Sequence, residues 1–364
     1  MNVLKAGSSV QGNGRCLSPA RGKCEGGRRR SVLLTSVAAV ALLSGATTAE
    51  SADINNTAPF VNNGPYSGDV ISNSSSIDNN APGYWTGNIR SNTDSIYNNP
   101  GATWDGGILS NRSSQLVNFG IWLNGNITSN GNPADPLPAV IGSNGTIYNG
   151  VGGTWNGNVN GNSDLIINDG GTWNGNVNSN ANYVLNNGGT WTGNVVGNSG
   201  AGSEVLNGGN ALWVGDVVGN NSFVRNDGVW RGSVLSNSRT LQNTGTWTGN
   251  VAGNSRNLYN DSGIWVGDVL ANGGTIFNLT DNGVVATWNG NVQGNSGSIQ
   301  NQAGSRWNGD VAGNAGTITN SATWAGNKVT TRYFDSLYHE LFNEAEPARS
   351  QVLKQLGDWL QKRS

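Results

Sequence analysis

The amino-acid sequence predicts an all-β fold, a parallel β-helix or β-solenoid of about 14 coils with repeats of about 18 residues, followed by a short C-terminal helical cap. The first observation is that Trp recurs at intervals of mostly 17–19 residues, at positions 85, 104, 122, 155, 173, 191, 213, 230, 247, 265, 288, 307 and 324. The second is that apolar residues within each repeat alternate with the period of a β-strand. The third is that Asn and Gly, which form tight corners, fill the space between strands. A unit this short cannot bury its apolar side alone, so the units are expected to stack.

Each repeat keeps a fixed order of residue types when its aromatic residue is counted as position 0. Position 2 is Gly and position 4 is Val or Ile, as in the segment from Trp155 to Val159. Position 7 is Asn in nearly every repeat, and an aliphatic residue near position 11 precedes a second Asn, as in Ile276 and Asn278. Tyr66 takes the place of Trp in the first repeat. Several positions therefore hold their register along the chain.

The Trp residues share strand parity with the position-4 aliphatic residues, so both are predicted to face the interior, where the indoles stack. Gly at position 2 lies on the same face and is expected to leave room for each indole. The alternative is an outward aromatic stripe that stacks on sugar rings. The position-7 Asn residues are predicted to form a ladder of amides at a corner; a left-handed corner backbone and plain surface polarity are the alternatives. The predicted structural ladder comprises Trp155, Trp173, Trp191, Trp213, Trp230, Trp247, Trp265, Asn162, Asn180, Asn198, Asn220, Asn237 and Asn254.

The start of the chain has the order of regions that is typical of a secretory leader. Three consecutive arginines precede an apolar run from Val32 to Leu43, and small residues follow. Cleavage is predicted near Ala49, with Ala46 as a second candidate; an uncleaved anchor and a twin-arginine export route are the alternatives. Residues 1–49 are therefore predicted to be a signal peptide with an extended basic n-region, which contains both Cys residues of the chain.

Three segments are predicted after the leader. Residues 50–65 are interpreted as an N-terminal cap or linker, 66–328 as the solenoid and 329–364 as a helical tail. Two apolar stripes of helical spacing flank the proline of the tail, which predicts a helical hairpin that caps the last coil; a partner-binding or frayed tail is the alternative. A longer loop interrupts the solenoid and is a candidate binding loop, with three prolines: Pro133, Pro136 and Pro138.

The composition leaves little room for catalytic or metal chemistry. Charged residues make up 12% of the chain, its one histidine is His339, and both Cys lie in the leader, so no Cys/His metal site is expected. Residues 53–328 carry eight Lys/Arg against fifteen Asp/Glu, a balance of −7 that argues against nucleic-acid binding. In the repeats counted from Tyr66, Asp at position 3 alternates with Asn and does not occupy adjacent repeats, which indicates a structural role for Asp69, Asp216, Asp268 and Asp310. We predict no catalytic residue, no metal and no cofactor.

The run Gly171-Thr172-Trp173-Asn174-Gly175-Asn176-Val177, repeated many times behind a secretory leader, resembles the Asn/Gly/Trp-rich repeats of bacterial autotransporter passenger domains. The resemblance covers about residues 66–328 and is more specific for a secreted β-solenoid than for one function. It implies a right-handed β-helix displayed at the cell surface, often for adhesion. The chain departs from that family because helical pattern, rather than the C-terminal translocator domain, follows Lys328.

These observations predict a non-enzymatic, secreted or surface-displayed protein that resembles an autotransporter passenger and has an adhesive or structural role. The alternatives are an extracellular β-helix enzyme acting on polysaccharide and a truncated autotransporter remnant. The expected partners are host or bacterial surface glycans or proteins and a separate outer-membrane translocator, without nucleic acid. The expected location is the cell surface, the outer membrane or the medium, or the periplasm if no translocator acts on the chain.

Overall fold

The computed structural model describes residues 50–112, 115–131, 146–199, 203–325 and 348–361. The predicted fold class is confirmed: the chain winds into a parallel β-solenoid of about 14 coils with a spacing of about 18 residues. Each coil contributes short strands to as many as three sheets, which we call the tryptophan, asparagine and valine sheets after their inward residues. Every strand of these sheets pairs in parallel with the equivalent strand of the next coil.

The tryptophan sheet carries the aromatic residue of each repeat at the centre of a three-residue strand. Thr, Ile or Val precedes most of these aromatic residues, and such β-branched residues favour the extended backbone. The register places Trp over Trp, as in the pairing of Trp230 with Trp247. Its 15 strands are Glu50–Ser51, Pro65–Ser67, Tyr84–Thr86, Thr103–Asp105, Ile121–Leu123, Thr154–Asn156, Thr172–Asn174, Thr190–Thr192, Leu212–Val214, Val229–Arg231, Thr246–Thr248, Ile264–Val266, Thr287–Asn289, Arg306–Asn308 and Thr323–Trp324.

The asparagine sheet is built from the aliphatic-x-Asn segment of each repeat. The aliphatic residue and the Asn of this segment both face the interior, and in nearly all coils both are buried. Its 14 strands are Phe60–Asn62, Ile77–Asn79, Ile96–Asn98, Leu116–Asn118, Ile147–Asn149, Ile166–Asp169, Val184–Asn187, Glu204–Asn207, Phe223–Asn226, Leu241–Asn243, Leu258–Asp261, Ile276–Leu279, Ile299–Asn301 and Ile318–Asn320.

The valine sheet contains the position-4 residue and is regular only in the later coils. Its nine strands are Val159–Asn160, Val177–Asn178, Val195–Val196, Val217–Asn220, Val234–Asn237, Val251–Ala252, Val269–Leu270, Val292–Gln293 and Val311–Ala312. In the first coils, Ile54–Asn56 pairs with Val70–Asn73. Single parallel bridges between position-4 residues then continue this face up to the pairing of Ile127 with Val159. The interrupted part of this face positions the groove described below.

The interior is filled by stacked indoles. Twelve Trp side chains, from Trp85 to Trp307, have no exposed surface. Ring centroids of successive coils, from Tyr66 to Trp324, lie 4.3–5.2 Å apart, and most ring pairs are close to parallel. At a strand spacing of about 4.8 Å, the solenoid is about 65 Å long. Stacked aromatic pairs add about 0.5–1.5 kcal/mol each beyond the burial of their area, so this column is a main source of stability.

Glycine at position 2 is required for two reasons. At Gly125 it leaves room for the indoles, as the sequence predicted, since a Cβ there would lie 2.9 Å from Trp122; in most coils the stronger reason is the backbone of the preceding coil. A Cβ added at Gly193 would lie 1.9 Å from the carbonyl oxygen of Gly175, and one at Gly175 would lie 1.8 Å from that of Gly157. The glycines therefore stack on one another, and the backbone of the preceding coil excludes a side chain. Several indole N–H groups also donate to these carbonyls, as Trp230 does to Gly215.

The left-handed backbone falls on position 6, directly before the corner Asn. Gly161, Gly197 and Gly253 have φ of 64–69°, and Ser179 and Ser236 occupy the same position with φ of 54° and 57°. Glycine adopts this conformation without strain, which explains its frequency there. The alternative in which Asn itself turns the corner is therefore wrong for these coils, and the Asn side chain is free for another role.

The solenoid begins earlier than the sequence suggested. Residues 50–65, which we expected to form a cap or linker, form a complete coil: Glu50 pairs with Tyr66, Ile54 with Val70 and Phe60 with Ile77. Glu50 stands here in place of the aromatic residue that marks all the other coils. The period of the aromatic residues therefore did not reveal this coil.

In the described part of the chain, one helix follows the solenoid. It spans Ala348–Gln361 and contains the second apolar stripe predicted for the tail. Val352 on this helix is buried, whereas Leu353 and Leu356 are 48% and 40% exposed. The first half of the predicted hairpin lies outside the described residues, so the cap stays a prediction. The described part of the chain includes no helix with the length and apolar character needed to cross a membrane.

Candidate functional surfaces

Two ladders of buried Asn side chains run the length of the solenoid. The corner ladder consists of the position-7 residues, and each Nδ2 donates to the Oδ1 of the next coil at 2.5–2.8 Å, from Asn56 to Asn314. The strand ladder lies in the asparagine sheet and does the same at 2.7–2.9 Å, from Asn62 to Asn320. The structure places all six predicted ladder residues, Asn162, Asn180, Asn198, Asn220, Asn237 and Asn254, in the corner ladder, and all seven predicted Trp in the indole column.

The ladder amides use their donors as well as their acceptors. Asn226, for example, accepts from Asn207 and donates to Asn243, and its Nδ2 also lies 3.0 Å from the carbonyl oxygen of Thr246. A carboxylate could accept but not donate, and a buried acceptor that faces other acceptors is costly. This explains why all 28 ladder positions carry Asn and none carries Asp. The interior Asn residues are therefore structural and offer no reactive group to a ligand.

A third row of polar side chains lies at the surface, at position 3. In this acceptor row the side-chain oxygen of one coil accepts the backbone N–H of the position-3 residue in the next, as Asn158 does from Asn176 at 2.7 Å. The N–H of the next coil needs only the oxygen, so Asp, Asn and Ser can all occupy this row. In the same way Asp216 accepts the N–H of Ser233, and Asp268 accepts that of Asn291. Asp53 accepts the N–H of Asp69, so the first two coils both carry Asp in this row, which the repeats counted from Tyr66 did not show. The described residues thus give Asp216 and Asp268 a structural contact, and they are too far apart along the axis to act as a catalytic pair.

The outward positions vary strongly from coil to coil. In the tryptophan sheet, the residue before the aromatic one is Thr172, Leu212, Val229, Ile264 or Arg306, depending on the coil. Val229 and Ile264 are 37% and 44% exposed. The interior repeats one pattern of residues, whereas these outward positions, unlike the acceptor row, differ in size and charge from coil to coil. Any recognition by the described solenoid therefore depends on local combinations of outward residues.

One local combination is a groove in the early coils, and its cause is Gly107. Every other residue of the acceptor row has a polar side chain: Asp53, Asp69, Asn88, Asn126, Asn158, Asn176, Asn194, Asp216, Ser233, Asn250, Asp268, Asn291 and Asp310. Gly107 has none, so the N–H of Asn126 turns to the carbonyl oxygen of Asn124 in its own coil, at 2.7 Å. Asn124 is the extra residue of this coil and has a left-handed φ of 53°. A groove of about 470 Å³ results.

The groove has both polar and apolar walls. It is lined by Asp69, Asn88, Ile89, Arg90, Gly107, Ile108, Leu109, Asn124, Asn126 and Thr128. Leu109 is 57% exposed, so an apolar surface faces the solvent there. The Asn126 Oδ1 accepts the N–H of Asn158 at 2.9 Å, which leaves its Nδ2 available. These residues come from four successive coils and include amides, a hydroxyl and an aliphatic side chain.

The two charges of the groove are paired with each other. The Arg90 guanidinium lies 3.1 Å from a carboxylate oxygen of Asp69. The backbone N–H of Asn88 donates to the other oxygen at 2.9 Å. This N–H first, and Arg90 second among the favourable contacts, lower the pKa of Asp69 and keep it ionised. The groove therefore has no unpaired charge.

A second local combination lies on the outer face of the asparagine sheet. Arg225 forms an ion pair with Asp227 at 2.9 Å, and its Nε donates to the same carboxylate at 3.0 Å. Glu204, in the preceding coil, is half-buried, and this burial raises its pKa against the opposing effect of Arg225. Phe223 stands beside Glu204 in the pairing of the two strands and is 48% exposed. The sequence did not single out this cluster, because its three charged residues occupy different positions of two repeats.

The other site residues predicted from the sequence are in the proline loop and at the single histidine. Pro133, Pro136 and Pro138 of the candidate binding loop lie outside the described residues, as does His339. Within the described ranges, no group of three or more His, Cys, Asp or Glu side chains is arranged to hold a metal ion. The sequence analysis missed the groove residues, although one signal was present. Once the extra residue Asn124 is left out of the count, Gly107 is the only glycine among the position-3 residues from Asp53 to Asp310.

Comparisons with protein-family models, with curated proteins and with solved structures give no match to this chain.

Proposed function

We propose that the chain is an exported, non-enzymatic solenoid that presents binding surfaces outside the cytoplasm, in the manner of a passenger domain. The observation that carries this proposal is the contrast between interior and exterior. Two continuous Asn ladders run through the coils and an aromatic column runs from Tyr66 to Trp324, whereas the outward positions other than the acceptor row differ from coil to coil. A stiff support of constant construction with a varied surface suits recognition better than catalysis.

The place of the first coil relative to the predicted cleavage site is compatible with export. The first coil pairs with the second through Glu50, Ile54 and Phe60, all of which follow the site predicted near Ala49. Cleavage there would leave the complete first coil, Glu50 to Asn62, on the mature chain. It would also remove both Cys residues, so the exported solenoid would carry no thiol that could cross-link in an oxidising compartment.

The test is fractionation combined with surface proteolysis. Intact cells that express the full chain are treated with protease, with permeabilised cells as the control, and the N-terminus of the recovered protein is determined by mass spectrometry. We expect a mature chain that starts at Glu50 and is degraded on intact cells or found in the medium. A chain that keeps residues 1–49 and stays in the cytoplasm would refute the proposal. Absence from every fraction would support the truncated remnant instead.

A second candidate function, action on extracellular polysaccharide, is favoured by the Glu204 cluster. A general acid must be protonated, and a raised pKa such as that of the Glu204 carboxyl favours the protonated form. Arg225 and Asp227 lie near Glu204. Hydrolysis of a glycosidic bond also needs a second carboxylate on the opposite side of the scissile bond. If this candidate is correct, the purified chain depolymerises a polysaccharide, and Glu204→Gln abolishes that activity without lowering the melting temperature. Asp216→Asn serves as the control, because Asp216 only accepts a backbone N–H.

A further inference from the structure

The groove lies where the described solenoid lacks, at Gly107, the side-chain acceptor that the other coils have at position 3. In the acceptor row, twelve of the thirteen residues from Asp53 to Asn291 bind the N–H of the following coil through a side-chain oxygen. Gly107 is the exception. Natural proteins depart from a locally consistent pattern mainly where function requires it. At Gly107 the N–H of Asn126 lacks the acceptor in the preceding coil that the other coils provide and bonds within its own coil instead.

The backbone, rather than a flexible side chain, keeps the groove open. A Cβ at Gly107 would lie 2.8 Å from the carbonyl oxygen of Asn126, so the floor at this point excludes a side chain. The extra residue Asn124 is held in place, because its Nδ2 donates to Asp105 at 2.6 Å. The groove is therefore preformed, and a ligand would not have to pay for its opening. Its volume of about 470 Å³ lies within the range of about 300–1,000 Å³ that is usual for small-molecule sites.

The lining selects the chemistry of the ligand. An ionic ligand finds no unpaired charge, since Arg90 and Asp69 neutralise each other at 3.1 Å. The free polar groups are the Asn126 Nδ2 and the Thr128 hydroxyl, and both residues are exposed. Amides and hydroxyls donate and accept, as the hydroxyls of a sugar do. Leu109, 57% exposed, provides an apolar surface for the C–H face of a sugar ring.

We propose that this groove, lined by Arg90, Leu109, Asn126 and Thr128 around Gly107, binds an uncharged segment of a glycan. The proposal rests on the surface-binding function above and names the ligand class of one site. The lining residues come from four successive coils about 4.8 Å apart, so a sugar chain that lies along the axis extends from Asn126 and Thr128 past Leu109 to Arg90 in the preceding coils. A single free sugar would make only part of these contacts and is expected to bind more weakly.

The test compares variants of the full chain on immobilised probes of three kinds: neutral hexose oligosaccharides, uronate-containing oligosaccharides and unstructured peptides. Asn126→Asp keeps the oxygen that accepts from Asn158 but removes the Nδ2 donor. Thr128→Val removes the exposed hydroxyl and keeps the shape. The matched control is Asn176→Asp, which makes the same chemical change in the same row, away from the groove. Thermal unfolding checks that all three variants fold as the unmodified chain does.

We expect the unmodified chain and Asn176→Asp to bind at least one neutral oligosaccharide with the same affinity. We expect Asn126→Asp and Thr128→Val to bind it about tenfold more weakly, which is the effect of losing one good hydrogen bond. Three results would overturn the proposal: no binding to any neutral oligosaccharide, equal binding by the groove variants, or selective binding to uronates or peptides. None of these would contradict surface display, which fractionation tests separately, so the two proposals can fail independently.

Discussion

The sharpest test of the architecture is a single chemical change, Asn to Asp, made in two different rows. In the strand ladder, Asn226 has no exposed surface, accepts from Asn207 and donates to Asn243, each at 2.8 Å. In the acceptor row, Asn176 is half-buried and its Oδ1 accepts the N–H of Asn194 at 2.7 Å. The first site needs both the oxygen and the nitrogen of the amide, and the second needs only the oxygen. Asn226→Asp and Asn176→Asp should therefore differ greatly in their effect on stability.

The expected magnitudes follow from these contacts. Asn226→Asp leaves the Asn243 Oδ1 without its donor and directs a carboxylate at the carbonyl oxygen of Thr246, 3.0 Å from the present Nδ2. A buried acceptor left unpaired costs about 1–3 kcal/mol, and an uncompensated buried charge costs about 3–5 kcal/mol. We expect a loss of at least about 3 kcal/mol in the free energy of unfolding. Asn176→Asp keeps its hydrogen bond and should change it by less than about 0.5 kcal/mol.

The assay is chemical denaturation of both variants, followed by far-UV circular dichroism and Trp fluorescence, because a repeat protein can unfold in parts. A pH series adds a second criterion. The carboxyl introduced by Asn226→Asp is buried, so its pKa in the folded state should exceed the unfolded value of about 3.9. The unfolded state then loses its proton first, and the deficit should grow as pH rises above that value and shrink as pH falls towards it. Equal stability of the two variants at neutral pH would refute the role of the ladder amides.

Two further predictions concern glycine and tyrosine. Gly193→Ala should lower the free energy of unfolding by several kcal/mol, since its Cβ would lie 1.9 Å from the Gly175 carbonyl oxygen. The control Gly209→Ala, with no atom within 4 Å of the new Cβ, should be close to neutral. Comparable thermal melting points of the two variants would contradict this. Burial, helped by the hydrogen bond to Asp169 at 2.7 Å, raises the pKa of Tyr148 to about 12. The unfolded tyrosine ionises near pH 10, so this residue should make stability fall between about pH 10 and 12, and Asp169→Asn should lower the phenol pKa in an ultraviolet titration; an unchanged titration would disprove the coupling.

The sequence predicted the architecture well because its strongest signals come from the interior. Almost every coil requires an indole, such as that of Trp173, and a corner amide, such as that of Asn180. These residue types therefore recur along the chain and show the period. The reason for Gly175 was not readable in the same way, because a clash with Gly157 depends on the distance between two coils rather than on either residue. The first coil was missed because Glu50 replaces the aromatic residue, while the pairing of backbone strands continues through it.

The surface sites were harder to predict, and the reason is physical. The groove exists because a side chain is missing at Gly107. The chain contains 56 glycines, so a single glycine gives no distinct signal in the sequence. The Glu204 cluster depends on two coils that bring Glu204 and Arg225 together from different positions of the repeat. Both sites are departures from the pattern, and a periodic analysis detects the pattern rather than its exceptions.

The ladders, and not the repeat length, set the register of the solenoid. Asn198 and Asn220 are 22 residues apart and Asn272 and Asn295 are 23 apart, yet both pairs bond at 2.7 Å, as pairs separated by 17 or 18 residues do. In the second pair the extra residues lie between Leu279 and Thr287, outside the strands. The interior therefore tolerates changes in chain length but not in the identity of the ladder residue. This separation allows the surface of each coil to change by insertion or substitution while the column beneath it stays intact, which is the property that a support for variable binding surfaces requires.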